Sequence, residues 1–134
     1  MSSHWIHDTV SDFGRQMGID GLGLGSHGVT QLVFASGAVL SVEPVARPRG
    51  DEVLVHLARP VGHDAPALVR LALAKAARIP GGAPAVQVAL RGSAAEAMLI
   101  ALVRLPERGF TPQALGQAVD LLSRWLDEVQ AGAA

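Results

Sequence analysis

One stretch, residues 64–80 (DAPALVRLALAKAARIP), constrains this chain more than any other. Asp64 stands where an N-cap belongs, and Pro66 falls in the first turn, where a missing N–H costs nothing. Pro80, Gly81 and Gly82 punctuate its end. At about 100° per residue, Leu68, Val69, Ala72, Leu73, Ala76, Ala77 and Ile79 sweep roughly half the circumference, and Leu71 lies beyond Lys75. That is more apolar surface than covering one sheet requires. A chain of 134 residues builds a single domain, 1–134, with a modest core and no further layer to bury the excess. The natural cover is a second copy of the chain. Val69, Leu73 and Ala76 are therefore expected at a homodimer seam, with Leu68, Ala72 and Ile79 turned toward a sheet.

Aromatic residues make up only 4% of the chain, so its core must be Leu, Val, Ile and Ala. A formal net charge of −1 carries no nucleic-acid footprint. The absence of cysteine excludes a disulfide framework and a thiolate metal site, and suits a reducing compartment. MSSHWIHD lacks the basic-then-apolar order of a signal peptide, and the longest apolar run, 97–103, is too short to cross a bilayer. A soluble, cytosolic protein without membrane insertion is expected.

From the start, Ser2 or Ser3 caps a first helix reaching about Met17, with Gly18 as its stop. Ile6, Val10, Phe13 and Met17 form its apolar stripe, and Trp5 sits about a quarter turn off it. Residues 18–28 are a glycine-rich connector. Gly23, Gly25 and Gly28 match a dinucleotide string, but here the string follows a helix and enters a strand, so no helix N-terminus meets a pyrophosphate. Three strands follow, at 29–35, 39–43 and 53–58, with Pro44 and Pro48 breaking the pairing between the last two. Thr30, Leu32, Phe34, Leu40, Val42, Val53, Val55 and Leu57 alternate onto the core face. Val33, Val39 and Leu54 fall on the opposite face, where scattered apolar residues are common and mostly carry no meaning, the alternative being a landing surface for a partner.

After the apolar helix, 85–91 alternates again, and 97–105 (AMLIALVRL) is apolar on both faces, as in a central strand covered on each side. Thr111 caps and Pro112 opens a last amphipathic helix to about Gln130, with 131–134 fraying. The fold class is α+β: an antiparallel β-sheet with helices, in the order α-β-β-β-α-β-β-α.

Little in this layout points to chemistry. His4 and His7 are neighbours on a helix without a third ligand, and His27, His56 and His63 are scattered. The serines lack a nucleophile elbow, and no carboxylates pair. Arg47, Arg49 and Arg59 cluster mildly, as a solvated loop does. The chain reads as a non-enzyme, with catalytic, metal and cofactor-binding residues all expected to be none.

The helix closing on Phe13, Gly14, Arg15, Gln16, Met17, Gly18 and Ile19, then Leu22, Leu24 and Gly28 ahead of Leu32, Val33 and Phe34, resembles the opening of the class I chaperones of bacterial type III secretion, typified by the Tir chaperone. Leu102 to Pro106, then Phe110, Leu115, Ala118, Val119 and Trp125, is similar to that family's closing pattern. The resemblance implies a homodimer in the bacterial cytoplasm, with the second helix and a neighbouring strand at its interface. It implies a client, the N-terminal extended segment of a secreted virulence effector, bound along apolar grooves and by strand addition without ATP. It also implies contact with the export-apparatus ATPase. On this reading Val33, Val39 and Leu54 are effector-binding residues, extended by Trp5, Leu22 and Leu24. Two rival classes stay open: a dimeric roadblock-like or YbjN-like regulatory module, which uses the same layout without an effector, and a small-molecule binding or enzyme domain, which needs a deep polar-lined pocket.

Overall fold

The computed structural model describes residues 4–18, 22–24, 29–78 and 85–133. Helix α1 (His4–Gln16) leads into strands β1 (Leu22–Leu24), β2 (Thr30–Val33), β3 (Val39–Val45) and β4 (Glu52–Pro60). Helix α2 (Ala65–Ala76), strands β5 (Gln87–Arg91) and β6 (Met98–Pro106) and helix α3 (Pro112–Ala133) complete the chain. The expected order is present, with one addition: three residues of the glycine-rich connector pair with β2 as an edge strand. All pairings are antiparallel, in the order β1-β2-β3-β4-β6-β5.

One face of this sheet carries the core. Leu32, Leu40, Leu57 and Ala101 lie in cross-strand register, as do Thr30, Val42, Val55 and Val103, and all are buried. The three helices lie against this face: α1 on β2 and β3, α3 on β4 and β6, α2 on β5 and β6. Ile6, Val10 and Phe13 supply the α1 layer, and Leu115, Ala118, Leu122, Leu126 and Val129 the α3 layer. The apolar stripes read from helical and strand periods thus meet as one core.

Several boundaries differ from expectation, each for a local reason. Helix α2 ends at Ala76, short of Pro80: Arg78 N–H bonds the Lys75 carbonyl, an i to i−3 closure that tightens the final turn. Asp64 holds the N-cap position, but its side chain makes no capping bond; a 3-10 turn, Gly62–Asp64, delivers the chain instead. Ile79, expected against the sheet, and the Ser2 and Ser3 caps lie outside the described residues. Met17 is past the last turn of α1 and exposed, so the stripe stops at Phe13, while Gly18 takes the positive φ of a helix stop.

Pro44 does not break pairing. It sits inside β3 opposite Val53, beyond the Thr30–Val42 pair where the register with β2 ends, so its missing N–H falls on a stretch of β3 paired to β4. The stretch expected to fray is helical through Ala133, and the end of α3 runs beside α2 closely enough that a side chain at Gly132 would touch Leu71. Thr111 caps α3 as expected, accepting the Ala114 N–H at 3.1 Å.

Polar contacts tie α3 to the sheet on one side and to α2 on the other. Arg59, at the end of β4, donates to Asp127 (2.6 Å), Gln130 (2.8 Å) and the Ser123 carbonyl and hydroxyl (3.3 and 3.2 Å) on α3. It is no solvated loop cation of the kind its sequence neighbours suggest. The expected cost of Arg59→Ala is about 1–3 kcal/mol of unfolding free energy, since the half-buried acceptors lose a shared donor while the exposed Asp127 adds little. A lowered urea midpoint at unchanged slope would register it. Lys75 of α2 pairs with Glu128 and lies 5.7 Å from the Trp125 ring centroid. With Lys75 held to α3, the opposite side of α2 turns outward.

Candidate functional site

The sheet face opposite the helices has no helix over it among the described residues. Strand alternation places Gln31 and Val33, then Val39, Ser41 and Glu43, then Leu54, His56 and Ala58 on it. From β6 and β5 come Met98, Ile100, Leu102 and Arg104, and Gln87, Ala89 and Arg91. The registers align these residues in rows across the strands. One row is wholly apolar: Val33, Val39, Ala58, Ile100 and Ala89, one from each of β2, β3, β4, β6 and β5. Its four inter-strand steps of about 4.8 Å make a stripe about 19 Å long. Met98 borders it on one side and Leu102 on the other. Val39, Ala58, Met98 and Ile100 also line a shallow depression with Ser41, His56 and Arg91.

The next row, Gln31, Ser41, His56, Leu102 and Gln87, is mostly polar. Gln31 donates to the Ser41 hydroxyl at 3.2 Å. His56 Nε2 lies 3.0 Å from Glu43 Oε1, yet it has no aligned hydrogen-bond partner although the atom is buried. The row beyond holds Glu43, Leu54 and Arg104.

Of the expected effector-binding residues, Val33 and Val39 are direct cross-strand partners within the apolar row, and Val33 is 54% exposed. Leu54 shares the face but lies two rows away, between Glu43 and Arg104. Trp5 is not on this face. It packs edge-on against Phe110, ring centroids 5.6 Å apart, and borders an open groove with Arg47, Arg49, Arg104 and Arg108 at the far end of the sheet. Leu22 and Leu24 are in β1, with Cα partners Leu32 and Thr30; their side chains lie outside the described residues. Ile100, Ala89 and Ala58, at the middle and far end of the row, carry no mark in the sequence that sets them apart as site residues. Strand 97–105 was expected to be covered on each side; in fact helices cover Leu99, Ala101 and Val103, and the opposite set is half-buried in a single chain. Only the β4–β6–β5 register reveals their alignment with Val33 and Val39.

A second apolar surface lies on α2 and β5. Leu73 is 55% exposed, Val69 and Ala76 are half-buried, and Leu90 of β5 is 46% exposed. Leu68 and Ala72 are buried against the sheet, as their spacing predicts. Strand β5 is the edge of the sheet beside α2, so its outer backbone groups adjoin the same surface. Among the described residues, no three His, Asp or Glu side chains gather as a metal site would need. No described helix is long and apolar enough to cross a membrane.

No protein-family model matches the sequence, and no curated protein does. Solved structures do match its fold. The Yersinia pestis type III secretion chaperone SycH, determined in complex with a stable fragment of YscM2, superposes with a TM-score of 0.59 at 11% identity, covering 93% of this chain and 97% of that one. The HopA1–SchA chaperone–effector complex gives 0.57 at 14% identity, with 92% and 91% covered. YbjN of E. coli, a proposed transcription regulator, gives 0.53 at 15%, with 92% and 86% covered. The chain therefore has the α+β fold of type III secretion chaperones, a fold that YbjN shares.

Proposed function

We propose that this protein is a type III secretion chaperone that holds a segment of a secreted effector on its open sheet face and keeps it soluble and competent for export. The observation that carries this reading is the apolar row of Val33, Val39, Ala58, Ile100 and Ala89 on an uncovered sheet face, in a fold also found in chaperone–effector complexes. A monomer gains nothing from such a stripe, whereas a binding module gains a dry contact surface without catalytic groups. The client pays for ordering its segment, so affinity must come from a long contact such as this one.

The same reading makes the working unit a homodimer joined through α2 and β5, with Leu73, Val69 and Ala76 in the seam. Doubling the chain doubles the length of client that can be held. Delivery of the client to the export ATPase would then follow from the dimer. Its place of work is the bacterial cytoplasm.

Co-expression with the product of the adjacent gene is the direct test. Co-purification of that product through its N-terminal segment is expected, and loss of capture on deleting the segment identifies the contact. The fold of YbjN favours a second reading, a dimeric regulatory module without a client. A neighbourhood without effector or secretion genes, and a face that captures no polypeptide, would favour that module.

A further inference from the structure

We infer that Ala58 sets which side chain the open face accepts: the hollow over it takes one branched aliphatic residue of the client. This inference rests on the proposed reading of that face as a polypeptide-binding site. Strands β3, β4 and β6 each pair on both sides, so their backbone groups are engaged within the sheet. A segment lying across them is held by side chains alone. The apolar row it would follow is uneven. Ala58, half-buried on β4, stands directly between Val39 of β3 and Ile100 of β6. Cross-strand partners are about 5 Å apart, so a single methyl between two branched side chains leaves a gap with two apolar walls. Ala89, the row's other alanine, has Ile100 on one side and the edge of the sheet on the other, and so lacks the second wall.

The gap is the shallow depression on this face, with about 40 Å³ open to water. A water needs about 10–15 Å³ of such space, so about three fit, the bulk of roughly three or four aliphatic carbons. Val39, Ala58, Ile100 and Met98 offer those waters no partner, while the polar lining residues Ser41, His56 and Arg91 come from the neighbouring rows. Water over an apolar floor is weakly held, and its displacement by an apolar group favours binding. A Val, Leu or Ile side chain has the matching bulk. Alanine leaves the gap unfilled, and a benzyl group, about twice as large, overfills it. A charged group gives up hydration against apolar walls.

The test uses the full chain, with its Ala, Val, Ile and Met methyls isotope-labelled, and Thr/Gln-rich synthetic peptides identical except for one central guest: Ala, Leu, Phe or Asp. In NMR titrations the Leu peptide is expected to shift the Ala58, Val39 and Ile100 methyls and to bind about tenfold tighter than the Ala or Phe peptide, with Asp weakest. Ala58→Ile fills the hollow from within. A β-branched residue suits an outward strand position, so circular dichroism and the thermal midpoint should match the wild type. In this variant the preference for Leu over Ala should fall below about twofold. The guest series in the wild type stands whether or not that variant folds. Equal binding of the Leu, Ala and Phe peptides by the wild type, or a preference kept by the variant, overturns the hollow and leaves the face as a site. If no peptide shifts a methyl of the row, the face reading and this inference fall together. Row methyls that shift with protein concentration alone, and cease to in Ala58→Ile, would mean that a second copy of the chain fills the hollow, which overturns the inference as well.

Discussion

Replacing Leu73 with aspartate is expected to yield a folded monomer. In a single chain Leu73 is 55% exposed, on the side of α2 away from the sheet, so a carboxylate there meets water and costs the protomer little. In a seam built from Leu73, Val69 and Ala76 the same carboxylate is buried without a partner. That penalty is about 3–5 kcal/mol, roughly two to four orders of magnitude in a dissociation constant. Sedimentation or light scattering should show a monomer at concentrations where the wild type is dimeric, with matching circular dichroism. Leu68→Asp provides the contrast: Leu68 is buried against the sheet, and its variant should unfold rather than dissociate. A Leu73→Asp protein that remains dimeric at wild-type stability would move the seam elsewhere.

The elements whose burial is one-sided were legible in the sequence. Val53, Val55 and Leu57 alternate with Leu54, His56 and Ala58, and the structure puts the first three in the core. Helix α3 reads correctly from Thr111 onward because its cap and its apolar side agree. Legibility failed where a residue's role depends on distant partners. Pro44 looks like a strand breaker until the register shows β2 ending before it. Trp5 reads as an off-stripe, partly covered residue, but only the fold shows that Phe110, distant in the chain, supplies the cover. Arg59 looks like a loop cation until α3 folds back over β4.

The candidate site followed the same logic. Val33 and Val39 stood out because they interrupt polar alternation in a strand with one dry face. Ile100 did not, because 97–103 is an unbroken apolar run and carries no alternation to interrupt. Such a strand signals burial on both sides, but not which partner covers each side. In this chain helices cover one side and leave the other half-open, so the second apolar set is surface that the protomer does not use.

The largest effect on client capture is expected from Ile100→Asp. Ile100 occupies the interior of the apolar row, with Ala58 and Ala89 as direct cross-strand partners and Met98 and Leu102 along its own strand. Binding energy concentrates in the dry centre of an interface, where losing an apolar anchor and burying a carboxylate together cost about 2–4 kcal/mol, a 30- to 1000-fold weakening. Val33→Asp, at the β2 end of the row and already 54% exposed, should fold normally and weaken capture by less. Leu54→Asp should weaken it least, since Leu54 lies two rows away and its carboxylate would face Arg104 across the pair. Affinities of the three variants for the co-purified client, measured on dimers of matched thermal stability, should therefore rank Ile100 above Val33 above Leu54 in loss. A Leu54 variant as impaired as the Ile100 variant would mean that the client does not follow the row. Three variants that all bind like the wild type would take the client off this face altogether.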